Sequence, residues 1–533
     1  VYMPRSRQYR SPFFDIQQVE VLRGPQAVLF GLNATAGTIL INTGTTRAGD
    51  EAFLTLRGGY EFEYEGYNVE AVTGGTLGES LGARLAVRYN DTGDGFFENE
   101  FTGEDETSTE ETLFRVSLSW DASEKLNFLF KYYNADADMT GNMGEAFGST
   151  ADLLSGDGEL DWKRNTDPAL TQIFNDGPAG FDHDVENLSL RGDYNFESGH
   201  VLTGIFSYSE ADFLQVVNTA ELPGEFFSNS LLEEYEQTAL EIRLASPIDR
   251  KLSYIAGIYA EDNELFNDIK TGLGRPFLSG ALGTDFPFAV ETRSTGKVDT
   301  ERLSAFLQLT WNITDSFRLI GGARYSEEDK DYDRERLNCP IYAAPGNGTF
   351  TYISDLPDFP VVPTLGPVLF GALCGTPSFG DDRSSDNLMP ELIAQWDISA
   401  SSVTYLKAAE SNKSGGFAMG APAQSLSEYD DESATTIELG WKTRFWDGRG
   451  ELNLAIFHTE YEDLQLNAFV NDETGIPRGV VSNAGKSTSE GFEAELNVAV
   501  TEWMTLGGSL GYLDAEYDDF KNGPCYAGEP TLD

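Results

Sequence analysis

The chain has few basic residues, few histidines and cysteines, and no long apolar run. It carries 36 Lys and Arg against 88 Asp and Glu, which gives a formal net charge of −52 over 533 residues. This balance excludes a nucleic-acid partner, because a phosphate backbone is bound through a basic surface. A membrane-spanning helix needs roughly 18 consecutive apolar residues, and the sequence contains no such run. A helical membrane protein is therefore excluded.

The histidines and cysteines are too scattered to form a metal site. No Cys-x-x-Cys pair is present, and the histidines share no ligand spacing. Cys339 and Cys374 fall in one long irregular segment, which predicts a loop disulfide in an oxidising compartment, whereas Cys525 has no predicted partner. We find no nucleophile elbow, phosphate-binding loop or paired-carboxylate motif. The sequence thus predicts no catalytic residue, no metal and no cofactor, and the protein is not expected to be an enzyme.

Glycine and aromatic residues are abundant, and apolar residues alternate with polar ones. The chain contains 55 glycines and 12% aromatic residues. Residues 114–120 alternate large apolar side chains with Arg and Ser, and residues 126–132, 303–311 and 317–325 follow the same rule. Successive side chains of a strand point to opposite faces, so these segments predict antiparallel strands with one apolar and one polar face.

The connections between these strands are predicted to be short at one end and long at the other. Runs from Phe53 onward amount to about 17 strands, an arrangement typical of outer-membrane barrels. Acidic stretches at 98–111 and 514–519 are predicted to be solvated loops, with divalent-cation binding next to anionic lipopolysaccharide as the alternative. The short turns lie near residues 78, 122, 196, 247, 314, 400, 447 and 502, and the long polar segments are 92–110, 138–184, 214–232, 265–298, 330–386, 412–431 and 464–483.

Residues 19–43 read VEVLRGPQAVLFGLNATAGTILINT. A short strand is followed by a turn at Arg23, Gly24 and Pro25, a second apolar piece at 27–30, a small-residue loop and another strand. Proline interrupts strand pairing, and the glycines permit close backbone approach. The residues alone predict a compact β-rich unit that is not a helix, for which an ordinary strand-turn-strand piece is the plain interpretation.

This segment resembles, nearly residue by residue, the end of the plug domain in TonB-dependent outer-membrane receptors. Later segments at 389–392, 413–417, 438–442 and 489–495 resemble recurrent barrel motifs of the same family. The resemblance extends over essentially the whole chain apart from the loops. The plug motif residues are Glu20, Arg23, Gly24, Pro25, Gly31, Asn33 and Gly37.

The resemblance implies an all-β fold, a transmembrane antiparallel β-barrel with an N-terminal plug domain. Residues 1–48 would be the C-terminal part of the plug, and residues 49–533 an incomplete barrel. The family has 22 strands, so about 17 strands here would leave roughly five beyond residue 533. The signal peptide and the TonB box would precede residue 1. We therefore expect a chain truncated at both ends.

Strand alternation also places carboxylates inside the predicted barrel. If Ile437 and Leu439 face lipid, Glu438 faces the lumen, and Glu493 and Glu495 do so by the same rule. In the family, plug arginines of this motif contact barrel glutamates, which implies that Arg23 pairs with Glu438 or Glu493. The alternative is that these carboxylates line a hydrated channel.

The function implied by the resemblance is energy-coupled uptake of a scarce solute too large for porins. An iron-siderophore complex is the commonest cargo of the family, and an oligosaccharide, cobalamin or another organic nutrient is the alternative. The implied partners are TonB with ExbB and ExbD, outer-membrane lipid and lipopolysaccharide, around a monomer in the bacterial outer membrane. A passive porin would lack the plug, an outer-membrane enzyme would need catalytic residues, and a secreted β-solenoid would show a short fixed repeat.

Overall fold

The computed structural model of the protein describes most of the chain. Cys339, Cys374 and Cys525, and with them the predicted disulfide, lie outside the described residues. The described residues are 2–9, 13–31, 33–99, 103–141, 163–164, 179–218, 227–273, 289–337, 340–342, 350–352, 378–419, 421, 423–471 and 477–520.

The N-terminal segment folds into a small unit of its own. A 3₁₀ turn at Ser6–Tyr9 is followed by β1 (Ile16–Arg23), α1 (Ala27–Phe30) and β2 (Gly37–Thr43), and the two strands pair antiparallel. The unit is β-rich, as the sequence predicts, but it also contains the single helical turn α1, which the sequence does not predict. Here Ala27 and Val28 are buried to 3% exposure, and the helical turn satisfies its own backbone where no strand lies beside it.

Apart from a few short strands, the other strands form one antiparallel sheet that closes into a barrel. Each long strand pairs with the next along the chain, as the alternation of the sequence predicts. Its strands of at least eight residues are β3 (Phe53–Tyr60), β4 (Glu65–Leu77), β5 (Leu81–Gly93), β8 (Thr109–Asp121), β9 (Leu126–Thr140), β11 (Gly180–Asn195), β12 (Val201–Asn218), β13 (Phe227–Ala245), β14 (Leu252–Leu273), β15 (Ala289–Asn312), β16 (Phe317–Leu337), β19 (Phe379–Ser399), β20 (Ser402–Lys413), β23 (Glu432–Phe445), β24 (Gly450–Asn471), β25 (Pro477–Thr501) and β26 (Met504–Phe520).

Short strands lie at the end of the barrel that carries the long connections. Two of them form a small hairpin between β20 and β23, which also contains a 3₁₀ turn at Gln424–Leu426. Among the described residues, no helix combines the length and apolar character needed to cross a membrane. The short strands are β6 (Phe97–Asn99), β7 (Glu104–Glu106), β10 (Lys163–Arg164), β17 (Pro340–Tyr342), β18 (Phe350–Tyr352), β21 (Gly416–Phe417) and β22 (Glu428–Tyr429).

The wall has an apolar outer face and a polar inner face, which confirms the predicted alternation. On β15, Leu303 is 57% exposed and Leu307 is also exposed, whereas Ser304 between them is 2% exposed. On β16, the inward Arg324 and Ser326 are buried, and the intervening Tyr325 faces outward. The outer apolar side chains are those that a lipid environment would cover.

Above the apolar belt, toward the long connections, the outer face becomes acidic. One carboxylate on each of seven neighbouring strands lies directly opposite the next in register. Lys297 pairs with two of them, at 2.8 Å from Glu264 and 3.0 Å from Asp299. We call this set the outer carboxylate row, which consists of Glu186, Glu210, Glu236, Glu264, Asp299, Asp331 and Asp382.

Candidate functional site: the contacts between the N-terminal unit and the barrel

Arg23, at the end of β1, bridges two carboxylates of the barrel wall. Its Nη1 atom donates to Glu493 Oε2 at 2.5 Å, and its Nη2 atom donates to Glu495 Oε1 at 2.6 Å. The two glutamates are two residues apart on β25, so both point inward. Hydrogen bonding to Glu495 raises the pKa of the Arg23 guanidinium, and the fork holds two carboxylates with one cation.

Glu438 lies beside the same turn but has a different partner. Its Oε1 atom accepts a hydrogen bond from the Tyr405 hydroxyl at 2.6 Å. Tyr405 lies opposite Gly440 in the ladder, and the glycine leaves room for the ring to reach along β23. A Cβ atom on Gly24 would lie 3.7 Å from Glu438 Oε2. Arg23 therefore lies with Glu493 and Glu495, while Glu438 borders the Gly24 turn.

The α1 turn is seated on the barrel wall by close packing and one lysine. Ala27 packs against Met389, which has no exposed surface. A Cβ atom on Gly322 would lie 2.9 Å from Val28 Cγ1, so the glycine creates the space for the turn. Lys407 Nζ donates to the Pro25 carbonyl oxygen at 2.7 Å. Pro25 thus contributes an acceptor to the interface as well as a turn.

Gly31 and Gly37 of the motif are each required for a different local reason. Gly31 has φ +92°, and a Cβ atom there would lie 3.3 Å from the Arg324 guanidinium carbon. That guanidinium lies between the rings of Tyr259 and Phe306, 5.3 Å from each centroid. Gly37 has φ +149°, and a Cβ atom there would lie 2.5 Å from the Leu22 carbonyl oxygen. Both positions exclude larger residues.

Asn33 connects the N-terminal unit to the segment after β20. It has φ 68°, a conformation that asparagine tolerates better than most residues. Its backbone N–H donates to the Asn412 carbonyl at 2.8 Å, and its Oδ1 accepts from the Ser414 N–H at 3.0 Å. Its Nδ2 donates to the Tyr2 hydroxyl at 2.8 Å. Two segments that lie about 380 residues apart in the sequence therefore meet through two hydrogen bonds, to Asn412 and from Ser414.

The described residues of the segment 412–431 lie inside the lumen, and we call this segment the inner strap. It contains the hairpin of β21 and β22, and Phe417 stacks on Tyr332 with 4.9 Å between ring centroids. Arg383 of β19 holds its far end, with Nη1 3.0 Å from Asp430 and Nη2 2.8 Å from Asp431. The sequence predicts a long polar loop here, and its inward path follows from these buried anchors.

A buried ion network lies beneath the strap. Arg302 Nη1 is 3.1 Å from Glu261 Oε1, and Arg302 Nε donates to Glu328 Oε2 at 2.9 Å. Lys330 Nζ lies 2.7 Å from Glu328 and donates to the Ser414 hydroxyl at 2.6 Å. Sequence reasoning missed these residues, although their alternation on β15 and β16 assigns them to the inner face. Buried charges are stabilised only when paired in this way.

Further polar contacts anchor the N-terminal unit near its beginning and end. Arg7 Nη1 donates to the buried Glu233 at 2.6 Å, and Gln8 Nε2 donates to Ser209 at 3.0 Å. Lys131 Nζ donates to the Thr43 hydroxyl at 2.9 Å. The motif residue Glu20 accepts a hydrogen bond from Asn42 of the adjacent strand, at 3.2 Å. Charged and polar side chains thus dominate the interface.

The short-turn end of the lumen is open. A cavity of about 700 Å³ lies there, lined by residues that include Asp397, Lys442 and Glu451. Within the described part of the chain, no group of three or more His, Cys, Asp or Glu residues is placed to hold a metal ion.

Residues 133–530 match the family described as TonB dependent receptor-like, beta-barrel. The chain belongs to this TonB-dependent receptor family. The family consists of receptors and transporters rather than enzymes, and its barrels lie in the bacterial outer membrane. The present chain is therefore an outer-membrane β-barrel protein.

Similarity to individual members of the TonB-dependent receptor family is distant but extends along most of the chain. The pesticin receptor of Yersinia enterocolitica is 24% identical over 493 residues, which cover 90% of this chain and 60% of that protein. The probable TonB-dependent siderophore receptor PiuA of Acinetobacter baumannii is 23% identical over 97% of this chain and 67% of its own length. The ferric yersiniabactin uptake receptor FyuA from Yersinia pestis has a similar fold, with a TM-score of 0.71, 18% identity, and coverage of 95% and 68% of the two chains.

Proposed function

We propose that the protein is a TonB-dependent receptor that imports a scarce, large solute, a ferric siderophore complex. Residues 1–48 act as the C-terminal part of the plug, and residues 49–533 form barrel wall and cargo loops. The whole receptor takes energy from TonB, with ExbB and ExbD, and works as a monomer among outer-membrane lipid and lipopolysaccharide. It performs no catalysis.

The observation that carries this proposal is the polar character of the plug contacts. Arg23 is half-exposed between Glu493 and Glu495, and an exposed ion pair contributes only about 0–1 kcal/mol. Asn33 holds the inner strap by hydrogen bonds, each with a net contribution of about 1 kcal/mol. Each of these two contacts is individually weak, which suits a plug that is held in one resting position and is moved by an external pull.

The nature of the cargo is supported by the relatives. Two of the proteins to which this chain is similar are named for a siderophore or its ferric complex. The lumen between the inner strap and the long connections carries aromatic side chains together with arginines, which suits a large chelate with both aromatic and anionic groups.

The test is iron uptake by the full-length receptor in bacterial cells that lack their own siderophore receptors. Cells with an intact TonB system are expected to accumulate radioactive iron from a siderophore chelate, and cells without TonB are not. Equal accumulation in both strains would contradict energy-coupled import.

A liposome-swelling assay separates the receptor from a passive porin. Liposomes that contain the full-length protein are expected to swell in small sugars no faster than empty liposomes, because the plug fills the lumen. Rapid swelling would favour a passive channel.

A further inference from the structure

A gap in the inner wall lies near the long-connection end of the barrel. Asn267, Gly296 and Arg334 are neighbours in register on β14, β15 and β16. Gly296 provides no side chain, and the space above it is taken by Met419 of the inner strap. A Cβ atom on Gly296 would lie 2.9 Å from Met419 Cε. A flexible thioether therefore occupies the space between two polar side chains.

Arg334 is buried without the partners that a guanidinium requires. It is 2% exposed, and its Nε and Nη1 atoms have no hydrogen-bond partner among the described residues. Its described contact is with the face of Phe379, 5.6 Å from the ring centroid. Buried polar atoms are hydrogen-bonded in the great majority of cases, because an unsatisfied one costs its full desolvation energy. Because the described part of the chain supplies no acceptor for these donors, they are available to an acceptor on a bound solute.

Asn267 on the other side of the gap is also incompletely satisfied. Its Nδ2 atom donates to Met419 Sδ, a weak acceptor, at 3.3 Å, and its Oδ1 atom has no partner in the described part of the chain. The stacked Phe417 and Tyr332 form an aromatic wall of the same space, and the buried hydroxyl of Tyr235 in this cluster has no hydrogen-bond partner within the ranges that the structure describes. Polar atoms without partners are thus grouped around one apolar side chain.

We propose that Arg334 and Asn267 form an oxyanion subsite of the cargo site, and that Met419 seals it until cargo arrives. A carboxylate or catecholate oxygen of the cargo displaces the thioether and accepts a hydrogen bond from Nε or Nη1 of Arg334, while Asn267 Nδ2, released from the methionine sulfur, donates to the same group. A planar guanidinium with several fixed donors suits an oxyanion better than a lysine ammonium does, and an unbranched methionine moves aside easily. This inference rests on the proposed import function, because it assigns part of the site that binds the imported solute.

The first test measures binding of two ferric chelates to the full-length receptor in detergent micelles. The anionic probe is ferric tris(2,3-dihydroxybenzoate), and the cationic probe is ferrioxamine B. Arg334→Gln is expected to weaken binding of the anionic probe by about tenfold to a hundredfold and to leave the cationic probe unchanged. Arg334→Lys is expected to recover only part of the loss, and Met419→Ala to strengthen anionic binding by about threefold or more.

Two matched variants serve as controls for this test. Arg57→Gln removes an equally charged, exposed arginine from β3, where it pairs with Glu70, and Met504→Ala shortens a methionine near the short-turn end of the barrel. Neither is expected to alter binding. Equal affinity of wild type and Arg334→Gln for the anionic probe would overturn the subsite.

A second test does not depend on the import function. Phenylglyoxal, which modifies accessible arginines, is added to wild type and to Met419→Ala, and labelling of Arg334 is read by mass spectrometry. Wild type is expected to resist, and Met419→Ala to be labelled and then protected by benzoate but not by neutral benzamide. Absent labelling in Met419→Ala, or labelling that benzoate does not reduce, would overturn the subsite even if no chelate binds.

Discussion

Gly31 and Gly49 form a natural pair for separating backbone strain from packing. Both have φ +92°, but a Cβ atom on Gly31 would meet the Arg324 guanidinium, whereas one on Gly49 has nothing within 4 Å. We expect Gly31→Ala to destabilise the plug by about 1–3 kcal/mol from strain, with a further cost from displacing Arg324. Hydrogen exchange of α1 in the full-length receptor measures the effect. The Gly49→Ala control should show strain alone, and equal effects would contradict the packing argument.

Arg23 tests whether the wall glutamates position the plug. Arg23→Ala is expected to speed hydrogen exchange of β1 and β2, because Glu493 and Glu495 lose their shared cation. A double-mutant cycle with Glu493→Gln should give a coupling of about 0.2–1 kcal/mol, as for other exposed pairs. Arg57→Ala, which removes an arginine that pairs with Glu70 within the barrel wall and not across the plug interface, is the control. Unchanged exchange in Arg23→Ala would mean that the pair has no anchoring role.

At this scale the sequence predicts which side chains face the lumen but not which of them pair. Alternation assigns Glu438, Glu493 and Glu495 to the inner face, and all three lie beside the Arg23-Gly24 turn. Which of them contacts Arg23 depends on Tyr405, because its hydroxyl donates a hydrogen bond to Glu438. That contact crosses between two strands whose register is visible only in the folded sheet.

Among the structural elements, the inner strap is the link between plug and cargo site. Asn33→Ala removes the acceptor for the Ser414 N–H and the donor to Tyr2, and we expect faster exchange at 412–417. Iron uptake should fall severalfold while surface expression is maintained, because plug movement is no longer transmitted to the strap. Asn42→Ala, whose side chain contacts only Glu20 within the plug, is the matched control. Normal iron uptake by Asn33→Ala would show that the contact between Asn33 and the inner strap is not needed for transport.

The strands are predictable from the sequence, whereas α1 and the inner strap are not. A two-residue period marks strands such as β8, β9 and β15 because each has one face toward lipid and one toward the lumen. The α1 turn spans only four residues, too few for a helical period. The strap reads as a polar loop because its anchors, among them Arg383 and Lys330, belong to distant strands.

For the molecule as a whole, the outer carboxylate row predicts a stability that depends on salt. Like charges directly opposite each other in a sheet are destabilising, and the Debye length falls from about 30 Å at 0.01 M to about 3 Å at 1 M salt. We expect the thermal unfolding midpoint in neutral detergent to rise with sodium chloride concentration. Replacing Glu210 and Glu236 by Gln should reduce this dependence, and a midpoint that falls with salt would contradict it.

The outer carboxylate row also affects how fast a solute reaches the lumen. A negatively charged chelate that is destined for Arg334 must first cross a mouth of the same sign, so long-range repulsion should slow each encounter. Stopped-flow kinetics should then show an association rate constant that increases with ionic strength, the reverse of the usual steering of a ligand by an oppositely charged binding site. The outer carboxylate row should therefore lower both the association and the dissociation rate constants. A chelate that has passed the row is held by arginines in the lumen and meets the same repulsion when it leaves.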